Sequence, residues 1–169
     1  MKYFTAIMIL AVLAVSCGTS DNGKEQLLSE ITYLEQELAA NTRQPAEKLD
    51  SLLAMMESYA RSYPKDSLAA GFLFRVGEMA QLKGQHEKAL AVFDQVMKDH
   101  DGTPQAARAL FMKGFTLDND LQRFDEAKEV YELFLKKYPN DAFAKDADFL
   151  LKNLGKSGEE ILREFEKNQ

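Results

Sequence analysis

Apolar residues recur three and four positions apart along most of the chain, the spacing that gathers them on one face of an α-helix. Leu27, Ile31, Leu34 and Leu38 predict a first helix from Lys24 to Ala39, with Asn22 as its cap and Glu25 three residues on. A second helix is predicted from Pro45 to Ser62, burying Leu49, Leu52, Leu53, Met56, Tyr59 and the following Tyr63. A third starts at Asp66 and ends at Gly84, where glycine tolerates the left-handed turn that closes a helix. A fourth covers Glu87 to His100. Thr103 before Pro104 reads as an N-cap with Pro in the first turn, opening a fifth helix to Leu117. Asp125 to Lys137 is a sixth, and Asn140 or Asp141 caps a seventh that stops at Gly155. Ser157 and Glu160 have capping-box spacing for a last helix ending near Lys167. β-branched residues are sparse after the N-terminus, so almost no sheet is expected.

The first residues break this amphipathic pattern. Lys2 precedes an apolar run from Phe4 to Val15, shorter than the roughly 20 residues a relaxed transmembrane helix needs. The run ends at Leu13-Ala14-Val15-Ser16-Cys17, which contains the chain's sole cysteine. This stretch resembles the bacterial lipobox, with Ala14 where that motif most often has Leu. The resemblance implies cleavage before Cys17 and lipidation of its thiol, the acyl chains partitioning at about 0.8 kcal/mol per buried CH₂. An ordinary secretory signal, cut near Ala14 or Ser16 and leaving a free thiol, is the alternative. The expected organisation is a signal peptide over 1–16, a flexible tether over 17–23 and a helical domain over 24–169. Gly18, rather than Asp, follows the cysteine, which by the same resemblance favours the outer membrane over the inner.

The helices repeat. Gly77 and Gly114 lie about 37 residues apart, and Ala89 and Ala127, like Phe93 and Tyr131, about 38. Tyr63-Pro64-Lys65-Asp66 returns as Tyr138-Pro139-Asn140-Asp141, two such periods on. One unit reads Leu73, Val76, Gly77, Ala80, Ala89, Phe93, Val96, and the next reads Leu110, Gly114, Leu117, Ala127, Tyr131, Phe134, Pro139. The glycine in the first helix and the alanine in the second let the two approach closely. The aromatic four residues on is expected to fill space between adjacent hairpins.

From about Leu49 to Leu154 this resembles the tetratricopeptide repeat (TPR), with departures. Asp101 stands for the terminal Pro of the first unit, Leu73 or Leu110 for the tryptophan-like position, and one residue is inserted around Asp118–Arg123. The resemblance implies an all-α, TPR-type α-solenoid of antiparallel helix hairpins with terminal capping helices. The last helix is expected to cap one end. The first caps the other, or self-associates through its Leu/Ile stripe.

Composition adds exclusions. The formal net charge is -6, with no basic stripe, which disfavours nucleic acid and anionic headgroups. No phosphate loop, nucleophile elbow or His-Glu-x-x-His motif occurs, so neither an enzyme nor a cofactor is expected. His86 and His100 sit at helix ends and read as exposed structural residues. Asp118, Asp120, Gln122 and Glu129 have calcium-loop spacing, but Arg123 stands where such a loop needs Gly, so no metal is expected.

In TPR arrays the first helices of successive hairpins line a concave binding face. Phe74, Phe111 and Phe149 hold equivalent places on them, and Glu78, Phe115 and Asn153 do so one turn further, with Gln81 and Arg108 nearby. These eight residues are the candidate partner-binding groove, with Arg108 reading a carboxylate; the alternative is that the aromatics are core. The expected function is a membrane-anchored adaptor holding other envelope proteins or peptides. It resembles the TPR lipoproteins of the bacterial envelope, among them that of the outer-membrane β-barrel assembly machine and the TPR domain of the Tol-Pal-associated division coordinator. A self-associating, homo-oligomeric structural lipoprotein is the second reading.

Overall fold

The computed structural model describes residues 19–41 and 45–167, and the expected signal peptide and Cys17 lie outside them. Eight α-helices follow one another: α1 Thr19–Ala40, α2 Ala46–Ser62, α3 Ala69–Leu82, α4 His86–Asp99, α5 Pro104–Phe115, α6 Phe124–Lys137, α7 Ala144–Lys152 and α8 Gly158–Lys167. A π-helical turn, Thr116–Asp120, extends α5. Among the described residues there is no strand. From α1 to α7 each helix packs on the next in sequence, and α3 also touches α5. Stacking of neighbour on neighbour is what makes a solenoid.

Local chemistry sets several of the boundaries. Thr103 Oγ1 accepts from the Ala106 amide at 3.2 Å, with Pro104 in the first turn. Ser157 and Glu160 close a reciprocal capping box: the Ser157 amide donates to Glu160 Oε2 at 2.7 Å, and the Glu160 amide donates to Ser157 Oγ at 3.3 Å. After α3 the Gln85 amide donates to the Ala80 carbonyl at 2.9 Å and the Gly84 amide to Gln81 at 2.8 Å. This closing turn requires Gly84 at φ +71°.

Asp66 and Asp141 act alike, one repeat pair apart. Each carboxylate accepts the amide two residues on, from Leu68 and Phe143, at 2.9 Å. Both helices therefore start a few residues later than the sequence suggests, because the aspartate organises the turn before the helix rather than capping it.

Glycine and aromatic ring meet inside each hairpin. A Cβ on Gly77 would lie 2.6 Å from the Phe93 ring, and one on Gly114 would lie 2.7 Å from Tyr131. The rings expected to fill space between hairpins are thus seated on the glycine of their own hairpin. Both are fully buried.

The ends differ from expectation. α1 begins at Thr19, so residues 19–23 of the expected tether are helical and Asn22 lies inside the helix instead of capping it. Ile31 and Leu38 are buried in a cluster with Leu52, Met56, Tyr59, Val76 and Val92, with Leu27 and Leu34 partly buried against it. The stripe that self-association would need free is packed within the chain. Lys24 pairs with Asp66 at 2.6 Å and ties α1 to the turn before α3. At the other end α8 packs lengthwise on none of the other helices, and Leu162 is exposed. As a cap it is incomplete.

Candidate functional site

The first helices of the later hairpins, α3, α5 and α7, together line one trough. Its narrow part, about 120 Å³, is walled by Phe74, Glu78, Arg108, Phe111, Met112 and Phe143. Its wide part, about 400 Å³, shares Phe111, Met112 and Phe143 and adds Phe115, Asp146, Phe149 and Leu150. Six of the eight predicted residues are thus close to this trough, two of them as its floor rather than its walls.

Phe74 and Phe111 are only 8% exposed. Phe74 lies 6.0 Å from the Phe93 ring, and Phe111 lies 6.3 Å from Tyr131, 5.7 Å from Phe134 and 4.7 Å from Phe143, on which it stacks. They are the floor of the trough and part of the core, as the alternative reading had it. Phe115 is half-buried and Phe149 is 52% exposed. The difference is positional. α3 has a further hairpin stacked beyond it and α5 has α7, whereas α7 is followed only by the loosely held α8.

Two predicted members leave the aromatic trough. Gln81 turns away: its Nε2 donates to Asp120 Oδ2 at 2.8 Å and joins α3 to the π-helical turn. Asn153 donates to the Phe149 carbonyl at 2.8 Å. It faces an adjoining hollow of about 440 Å³, which shares Phe149 and Leu150 with the trough and adds Asp118, Gln122, Phe124, Lys156 and Ile161.

Charge in the narrow part is balanced locally. Burial raises the Glu78 carboxyl above its ordinary value, against the pull of Arg108 and Arg75. Arg108 itself is exposed.

Met112, Phe143, Asp146 and Leu150 were not anticipated. Phe143 was within reach of the repeat alignment. Extending the Tyr63-Pro64 and Tyr138-Pro139 match by a few residues pairs Leu68 with Phe143, each placed by the aspartate two residues before it.

The residue inserted around Asp118–Arg123 has a structural counterpart. The Leu121 amide donates to the Thr116 carbonyl at 3.0 Å, five residues back, so the extra residue is taken up as π-helix. Gln122 then adopts φ +53°, where the preceding repeat places Gly84. Asp118 is half-buried, and burial holds its carboxyl above the usual range. Burial likewise pushes the Tyr131 hydroxyl beside it upward. Asp120 lies 3.7 Å from His86 Nδ1. His86 and His100 are both half-buried rather than exposed: His86 opens α4 beside Asp120, and His100 closes the same helix. Among the described residues no group of side chains could hold a metal ion.

Residues 72–103 and 108–141 match the tetratricopeptide repeat family. These two stretches are tetratricopeptide repeats. Its fold is an all-α TPR solenoid, with α3–α4 and α5–α6 as the matched hairpins. Phe74, Glu78, Arg108, Phe111 and Phe115 fall inside those matches, while Asp146, Phe149 and Leu150 lie beyond them on α7. No curated protein matches the chain. TPR hairpins are protein-interaction modules, and an adaptor role follows for this chain at that level.

Proposed function

We propose that the chain is a lipid-anchored adaptor of the bacterial cell envelope, holding protein or peptide partners in the trough formed by α3, α5 and α7. The supporting observation is the wide half of that trough: Phe115, Phe143, Phe149 and Leu150 surround a hollow large enough for a bulky side chain. Apolar hollows with aromatic walls and a polar rim are where binding energy concentrates. Arg108, exposed beside it, is placed to read a carboxylate of the partner.

Anchoring rests on Leu13-Ala14-Val15-Ser16-Cys17 and its resemblance to the lipobox. A binding module has no reacting groups of its own, so a fixed place at a membrane is a large part of what it contributes. The outer membrane, facing the periplasm, is the proposed place, because Gly18 follows the cysteine.

Two measurements test this. Metabolic labelling with a fatty-acid analogue should mark the wild-type protein and leave Cys17→Ala unmarked; equal labelling of both removes the anchor. Photo-crosslinking from Met112 in intact cells, followed by mass identification, should yield envelope proteins whose capture drops in Phe149→Ala and Arg108→Ala. Those two residues are exposed, so their loss leaves the core intact, unlike Phe111→Ala. Capture unchanged in both folded variants would remove the groove.

A further inference from the structure

The wide part of the trough has one polar lining residue, Asp146, among apolar and aromatic ones. Its carboxylate is exposed at the lip and has no hydrogen bond or salt bridge among the described residues. On the same helix Asp148 pairs with Lys152 at 2.5 Å, and elsewhere Asp94, Asp101 and Glu87 pair with Lys113, Lys137 and Arg123. Lys145 is adjacent in sequence, but consecutive residues on a helix do not face one another. Asp146 is therefore an unmatched anion on the rim of an apolar pocket, where partial exclusion of water strengthens a charge pair.

Resting on the groove reading above, we propose that the partner segment presents a bulky aliphatic or aromatic side chain flanked by lysine or arginine. The apolar side chain fills the hollow between Phe115, Phe143 and Phe149. The adjacent cation pairs with Asp146. The acidic chain, with formal net charge -6, adds long-range attraction for a basic segment. An acidic flank at the same place would meet Asp146 as a like charge, so Asp146 acts as a selector as well as a contact. Arg108, across the shared Phe111, Met112 and Phe143, then receives any carboxylate on the far flank and sets the direction in which the segment lies.

The test uses the purified full-length chain and three series of short fluorescent peptides, identical except that a central Leu is flanked by Lys, Ser or Glu. Anisotropy titrations should rank them Lys, then Ser, then Glu, with the Lys series weakening as salt is raised. Asp146→Asn should weaken the Lys series about two- to fivefold and leave the Ser series unchanged. Asp146→Lys should invert the order in favour of Glu. Peptides that bind, lose binding in Phe149→Ala, yet keep their ranking in Asp146→Asn and Asp146→Lys would overturn the proposal while leaving the groove. No binding by any series, or binding indifferent to Phe149→Ala, would overturn the groove and the proposal with it.

Discussion

Gly77 offers a sharp test of how these hairpins are held. In an unencumbered helix, Gly→Ala stabilises by about 1 kcal/mol, because alanine loses less backbone entropy. Gly71, in the same helix, is such a site: a Cβ there would meet nothing within 4 Å. At Gly77 the new methyl would lie 2.6 Å from Phe93 Cε1 and 2.8 Å from Cδ1. The ring is fully buried and cannot swing out, so the helices must part or the ring must leave its rotamer. Overpacking of this kind costs about 1–3 kcal/mol. Set against the propensity gain, Gly77→Ala should come out neutral to about 2 kcal/mol destabilising, while Gly71→Ala should gain up to about 1 kcal/mol. Urea denaturation followed by helical circular dichroism measures both, and the separation of the two midpoints is the quantity to read. Cooperativity in repeat arrays can break down, so the slopes must agree before midpoints are compared. Gly77→Ala as stable as Gly71→Ala would refute the close glycine–ring approach as the hairpin's constraint.

Other predictions follow from single sites. Ile31→Ala should cost about 2–5 kcal/mol of stability, because Ile31 is 1% exposed inside the chain's own core. A change confined to oligomer mass, with unfolding unaltered, would revive self-association through α1. Gln122→Gly should stabilise by about 1–2 kcal/mol by relieving the left-handed backbone at φ +53°, read as a rise in thermal midpoint. No rise would mean the Gln122 side chain repays its strain. Burial raises Asp118, so the folded state holds that proton more tightly than the unfolded chain does. Its favourable contribution is present at low pH and is lost as pH rises through the folded value. Asp118→Asn should therefore raise stability at neutral pH and give no such gain near about pH 3, where both states are protonated. An equal gain at both would mean the carboxyl's charge is not the cause.

Local chemistry and periodicity together determine the run of helices. Thr103, Gly84 and the Ser157–Glu160 box act through groups a few residues away, so their roles can be read without a fold. The spacing of Gly77 with Phe93 and Gly114 with Tyr131 likewise marks the hairpins, because a repeated unit must repeat its contacts. Even the inserted residue near Asp118 is visible as a broken period. Its absorption as π-helix is not, since a longer loop would have broken the period equally.

What lay beyond the sequence is which apolar face each neighbour covers. Phe74, Phe111 and Phe149 are equivalent by repeat, yet two are floor and one is wall, because burial depends on whether another packed helix lies beyond. The stripe of α1 could have met a second copy or its own α2, and periodicity is identical for both. Asp146 is an ordinary acidic residue in the sequence. It becomes the rim of an aromatic hollow only when α5 and α7 are brought side by side. Amphipathic spacing says that a face must be buried, and only the packed chain says against what.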